Sequence, residues 1–256
     1  MTKKVLGLNI NYIDKGEGEL VVLLHGWGAN ISLFYSMIEL LSAKYRVVAM
    51  DMPGFGGSDE PQDIWSVADY TDFVIEFLKD YDAKEITFLG HSFGGRVIIK
   101  MFEKKSLPFK IKKLILTGSA GVLPKKSTTQ KIKQRIYKMT RKIYSSAVVS
   151  KLFPDALENL RRKNGSADYN AASPTMRQIL VKVVNEDLTH IFPKVTPPTL
   201  LVWGKNDTAT PLSDGQLMEK LMPEAALVVL ENSGHYAFLD EMFAFNKILA
   251  SFMNIN

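Results

Sequence analysis

Ser92 stands at the centre of Gly90-His91-Ser92-Phe93-Gly94, with glycines two residues to either side. A serine hydroxyl attacks a carbonyl only when a neighbouring base takes its proton. The chain has four histidines that could supply that base. His91 adjoins the serine, so its side chain is expected on the other side of the turn. His25 lies in an early glycine-bracketed loop, and His190 follows Asp187-Leu188-Thr189 as a surface or packing residue. His235, in Asn232-Ser233-Gly234-His235-Tyr236, comes just after the last apolar run, where a base is needed. The base needs an acid to orient it. Asp207, in Trp203-Gly204-Lys205-Asn206-Asp207, follows another apolar run and is the candidate. The loop at Gly118-Ser119-Ala120-Gly121, after the preceding run, contains no acid.

Acyl transfer also needs donors for the oxyanion. Val21-Val22-Leu23-Leu24-His25-Gly26-Trp27-Gly28 ends an apolar run in a loop whose Trp27 N–H can point at the site. The Phe93 N–H is the second donor, and His25 is left to hold the loop. Taken singly, each of these residues has an ordinary structural job available. Asn206-Asp207 makes a turn, and a lone histidine packs. Their placement at the ends of successive apolar runs favours the chemical reading.

Those runs read as buried strands: Leu20–Leu24, Arg46–Met50, Glu85–Leu89, Lys113–Thr117, Thr199–Trp203 and Ala226–Leu230. Between them the spacing turns helical. Val67, Tyr70, Val74, Phe77 and Tyr81 step by three and four, with Ser66 placed to cap the helix. A second helix, Arg96–Glu103, follows the serine. Alternating strands and helices predict a mainly parallel sheet covered on both faces. Leu8–Asp14 alternates and predicts an antiparallel hairpin into Leu20–Leu24. From 122 to 193 no strand pattern occurs. Ile132, Ile136, Met139 and Ile143 mark an amphipathic helix whose apolar stripe is expected to face the core and pocket. Helical patterns continue near Ala156–Arg162 and Met176–Val184. The predicted organisation is one discontinuous core, 1–121 with 194–256, carrying a helical insertion at 122–193.

The 256 residues contain no cysteine, which excludes a disulfide framework and a thiolate nucleophile. No apolar run approaches membrane-spanning length and the basic start lacks a signal-peptide pattern, so a cytoplasmic location is the default expectation. The net charge of +5 is unevenly spread. Lys104 to Lys151 holds 14 basic residues and no acid, leaving a net of −9 for the rest. An acidic body with a basic segment and no recognition motif is not a nucleic-acid binder.

HGWG at 25–28, DMPGFGGSD at 51–59, GHSFGG at 90–95, WGKND at 203–207 and SGH at 233–235 together resemble the α/β-hydrolase superfamily. The resemblance covers nearly the whole chain outside the insertion. It implies a mainly parallel eight-stranded sheet with helices on both faces. It also implies a helical cap at the insertion and the acid order Ser92, Asp207, His235. The Asp51–Asp59 loop is then expected to help shape the pocket, with Gly54, Gly56 and Gly57 giving its turns. A serine rather than an aspartate nucleophile implies a carboxylic ester hydrolase working through an acyl-enzyme, with no metal or organic cofactor. Carbon–carbon bond hydrolases of this fold usually show Asn before the serine and Trp after the catalytic histidine. Here those positions are His91 and Tyr236, which places that activity second. A ligand-binding or signalling protein with slow turnover is a further alternative.

Lys125, Lys126, Lys131, Lys133, Arg135, Lys138, Arg141 and Lys142 make the predicted insertion helix strongly basic. A solvated face is the plainest account. Contact with an anionic membrane surface and attraction of acidic substrates are the others. Phe34, Met37 and Tyr236 are candidates for lining the pocket, or for plain core.

Overall fold

The computed structural model describes residues 1–123, 128–146 and 166–255, with isolated positions between 151 and 163. The pattern expected at Ala156–Arg162 lies largely outside the described residues, as do Lys125, Lys126 and the side chains of Lys131, Ile132 and Lys133. Among the described residues no helix is long and apolar enough to cross a membrane.

The strands are β1 (Thr2–Val5), β2 (Leu8–Lys15), β3 (Leu20–Leu24), β4 (Arg46–Met50), β5 (Glu85–His91), β6 (Lys110–Thr117), β7 (Thr199–Gly204) and β8 (Ala225–Leu230). They form one sheet in the order β1-β2-β4-β3-β5-β6-β7-β8. All neighbours from β4 to β8 are parallel, while β1–β2 and β2–β4 are antiparallel. The expected hairpin is therefore corrected. β2 does not pair with β3; it turns back on β1 and pairs with β4. Alternation shows that one face of β2 is buried, but not which strand lies beside it.

The described helices are α1 (Tyr35–Ser42), α2 (Val67–Leu78), α3 (Phe93–Lys100), α4 (Thr128–Tyr144), α5 (Ala167–Ala171), α6 (Pro174–Val184), α7 (Leu212–Leu221), α8 (Ala237–Asp240) and α9 (Met242–Phe252). β3 is buried along its whole length, as a strand covered on both faces must be. Successive residues split between two cores. Leu20, Val22 and Leu24 pack with α2, α3 and α6. Val21 and Leu23 pack with α1, α8 and α9. Ser66 caps α2, accepting from the Asp69 N–H while Asp69 accepts from the Ser66 N–H. Such a cap typically contributes about 1 kcal/mol.

Residues 122–193 lie between β6 and β7, and α4 and α6 within them differ. In α6, Met176, Ile179 and Val183 are buried in the larger core. In α4 the expected orientation is overturned: Ile136, Met139 and Ile143 are 58%, 63% and 57% exposed. The half-buried residues there are Tyr137, Thr140 and Tyr144, a stripe one position further on. At 100° per residue that stripe is turned well away from the isoleucines, so the isoleucine face points outward.

The two halves should respond differently to truncation. Ile179→Ala should cost about 3 kcal/mol of unfolding free energy, as for other buried aliphatics. Ile136→Ala should change it by less than about 0.5 kcal/mol. Urea denaturation of both variants checks this, and equal losses would contradict the assigned packing.

Candidate active site

Ser92 is the single residue between β5 and α3, with φ 50° and ψ −110°. Positive φ on a residue with a Cβ costs on the order of 1–3 kcal/mol and persists only where the surroundings enforce it. Here they do. The Ser92 N–H donates to Thr117 O at 3.2 Å, and Ser92 O accepts from Ala120 N at 3.0 Å and Arg96 N at 3.2 Å. The flanking glycines are required by close approach. A Cβ on Gly94 would collide with the carbonyl of Leu24, and one on Gly90 would stand 2.7 Å from the backbone of Gly95. Strand, turn and helix thus cross too closely for any other residue, and the hydroxyl is left at the carboxyl end of the sheet.

The loops after β7 and β8 reach the same end. Asp207 Oδ2 accepts from His235 Nδ1 at 2.8 Å. A carboxylate can only accept, so Nδ1 carries the proton and Nε2 keeps its lone pair. The Asp207 side chain is wholly buried. Burial alone would push its carboxyl up. Hydrogen bonds from His235 and Thr210, with the nearby imidazole, outweigh it and hold the group below the usual carboxylate range. Asp207 Oδ1 also accepts from Ala209 N at 2.8 Å and Thr210 N at 2.9 Å.

Sequence reasoning missed Thr210. Its hydroxyl lies 2.9 Å from both Asp207 Oδ2 and Gly118 O, and its carbonyl accepts from Trp203 Nε1 at 2.8 Å. It ties the acid to β6 and β7 together. The signal was available: a Thr three residues after an Asp can close a local turn.

His91 is not simply turned away from the site. It is buried, and its ring lies 4.7 Å from that of His235. Its Nε2 is 3.1 Å from the carbonyl of His235, which can only accept, so Nε2 holds the proton. Burial, and then the neighbouring His235, lower its pKa to about 3. His91 is a neutral support for the loop carrying His235.

The Gly26–Gly28 loop follows β3, the strand beside β5. A Cβ on Gly26 would come within 3.2 Å of Ser92 Cβ. His25 fixes this loop as expected. Its Nδ1 donates to Gly26 O at 2.7 Å and its Nε2 accepts from Met52 N at 2.9 Å. Burial lowers its pKa. Phe93 is the first residue of α3, so its N–H has no acceptor within the helix. Trp27 packs edge-on against Phe55 at 4.8 Å and Phe93 at 5.4 Å, giving the site an apolar wall.

The Asp51–Asp59 loop winds around Asp51. That buried carboxylate accepts from Ile31 N, Asn11 Nδ2 and Gly57 N, each at 2.8 Å. From the insertion, Met176 packs against Gly54. An Asp168 carboxylate oxygen lies 3.5 Å from where a Cβ on Gly28 would stand. Burial and then the charge of Asp168 raise the pKa of Tyr236. Nothing in the sequence marked Asp168, because the path of an insertion cannot be read from its pattern.

Tyr236 rests on both His91 and His235. Phe34 and Met37 are core residues on the other face of the sheet. His190 pairs with Glu103 at 2.6 Å, away from the site. A hollow of about 520 Å³ lined by Lys44, Lys112 and Lys113 opens at the amino ends of the strands, the wrong end for Ser92.

The family model of the alpha/beta hydrolase fold matches residues 19–242. A 2-hydroxy-6-oxononadienedioate/2-hydroxy-6-oxononatrienedioate hydrolase of Pseudomonas putida is 31% identical over 272 residues, covering 97% of this chain and 93% of that protein. A pimeloyl-[acyl-carrier protein] methyl ester esterase of Aliivibrio fischeri is 26% identical, covering 94% and 95%. The solved esterase from Exiguobacterium antarcticum superposes with a TM-score of 0.75 at 26% identity, covering 99% and 98% of the two chains. With the sheet order, the serine turn and a family match over most of its length, the chain belongs to the α/β-hydrolase fold family, and these relatives are hydrolases.

Proposed function

We propose that this protein is a serine hydrolase that cleaves a carboxylic ester of small or medium acyl chain through an acyl-enzyme on Ser92. The observation that carries it is Ser92 held at φ 50° on the sheet end that also holds the hydrogen-bonded Asp207–His235 pair. In this reading His235 Nε2 takes the hydroxyl proton as Ser92 Oγ attacks the ester carbonyl. Asp207 keeps the imidazole in the required tautomer and stabilises the imidazolium. The Trp27 and Phe93 amides receive the oxyanion, each typically worth about 3 kcal/mol in the transition state. The alcohol leaves with the proton from His235, and a water activated by His235 then frees the acid. The Trp27–Phe55–Phe93 wall suits an apolar acyl chain.

The Pseudomonas relative favours a second reading, carbon–carbon bond hydrolysis of a related dicarboxylate by the same three residues. Two features support the ester instead. His91 and Tyr236 stand where that class usually has Asn and Trp. Asp168 also places a carboxylate beside Gly28, where a doubly anionic substrate would meet like charge. Helices of the insertion, in this reading, act as the cap over the site.

Wild type and Ser92→Ala should be treated with a fluorophosphonate probe and assayed on p-nitrophenyl esters of increasing chain length and on a 2-hydroxy-6-oxo-dienoate. Wild type alone should label, and its kcat/KM should be higher for the esters. Faster turnover of the dienoate would select the second reading. A wild type that neither labels nor turns over would select a ligand-binding protein.

Asp207→Asn should lower kcat about ten-thousandfold, because the amide favours the wrong imidazole tautomer. Its effect on stability should depend on pH. The Asp207 carboxyl is held low in the folded state, so its stabilising contribution is present above the ordinary carboxylate pKa and lost as pH falls through the depressed value. The Tm gap between wild type and Asp207→Asn should therefore shrink as pH falls below the ordinary carboxylate pKa of about 3.9, as differential scanning calorimetry would show.

A further inference from the structure

In α4 the half-buried residues step by three and four: Tyr137, Thr140 and Tyr144. The apolar stripe Ile136, Met139 and Ile143 is exposed instead. Among the described residues nothing covers it. Leaving three large apolar side chains aligned on one solvent face is unusual unless a surface meets them.

The charge beside the stripe identifies that surface. On the helix, Arg135, Lys142 and Lys138 fall along one flank of the stripe, and all three are exposed. Arg141, also exposed, lies on the far side. No acidic residue occurs between Lys104 and Lys151, although the rest of the chain carries a net of −9. Apolar residues bordered by cations, on a helix of low overall hydropathy, suit the headgroup boundary of a bilayer. The stripe is too narrow for a stable protein partner, which needs about 1,000 Å² of buried surface. Reversible lipid contact needs less, because each basic residue near an anionic leaflet strengthens binding about fivefold.

We infer that α4 docks the protein reversibly on anionic lipid, with Ile136, Met139 and Ile143 entering the headgroup boundary and Arg135, Lys138 and Lys142 meeting lipid phosphates and carboxylates. The segment carrying α4 leaves β6 through Gly118–Gly121, the loop whose Ala120 N–H donates to Ser92 O. Nothing in this inference depends on acyl transfer, and its test reads binding alone.

The full-length protein should be sedimented with vesicles of phosphatidylcholine alone and with 30% phosphatidylserine. Two variants go alongside: Ile136→Ser/Met139→Ser/Ile143→Ser and Lys138→Glu/Lys142→Glu. Wild type should bind the anionic vesicles at least tenfold more tightly than the neutral ones and lose that preference in 0.5 M NaCl. Each variant should bind anionic vesicles at least tenfold more weakly. Both should keep the wild-type circular dichroism spectrum. Should the triple variant misfold, the charge variant decides alone. Equal binding to both vesicle types, or none to either, overturns the inference. So does a wild type that self-associates in ultracentrifugation through this face without binding vesicles, since a second copy would then be the occupant.

Discussion

Everything at the site hangs on how closely α3 crosses the strands at the Ser92 turn. The backbone at Gly94 passes against the Leu24 carbonyl of β3, and Gly90 passes against Gly95. A reversal from strand to helix within one residue is sterically possible only with that clearance. The positive φ of Ser92 is the result, maintained by hydrogen bonds to Thr117, Ala120 and Arg96 rather than by any preference of serine. The same proximity brings the loop after β3 against Ser92, so one packing constraint sets both the serine turn and the Gly26–Gly28 loop beside it.

The remaining groups are positioned by the parallel sheet. β5, β6, β7 and β8 are consecutive neighbours, and their carboxyl ends deliver Ser92, Gly118, Asp207 and His235 in turn. Thr210 links two of these strand ends, β6 through Gly118 and β7 through Asp207 and Trp203. A shift of any one strand would be felt by the others, which is how a site assembled from distant residues stays rigid.

Much of this was legible in the sequence where a local steric rule applied. The Gly-x-Ser-x-Gly spacing reports a close crossing, and the Val-rich runs report strands covered on both faces. Ser66 announced the start of α2. What escaped was set by tertiary partners. β1, a short strand with two lysines, has no apolar signature of its own, and so β2 was assigned the wrong neighbour. The period of α4 was correct, but a period gives a stripe and not what it faces. Tyr137, Thr140 and Tyr144, less apolar than the isoleucine stripe, took the inner side. His91 was expected to point away because adjacent side chains diverge. Instead its ring lies under the His235 loop, brought there by the β8 end of the sheet.

Three imidazoles are gathered at this end of the sheet, yet they do not form a shared proton reservoir. His25 and His91 are sealed from water, and each has its tautomer dictated by a backbone group: Gly26 O and Met52 N for one, His235 O for the other. Both are pushed toward the neutral form. The His235 ring therefore lies 4.7 Å from a neutral imidazole, that of His91. Two histidines held toward the neutral form act as polar insulation around the His235 ring.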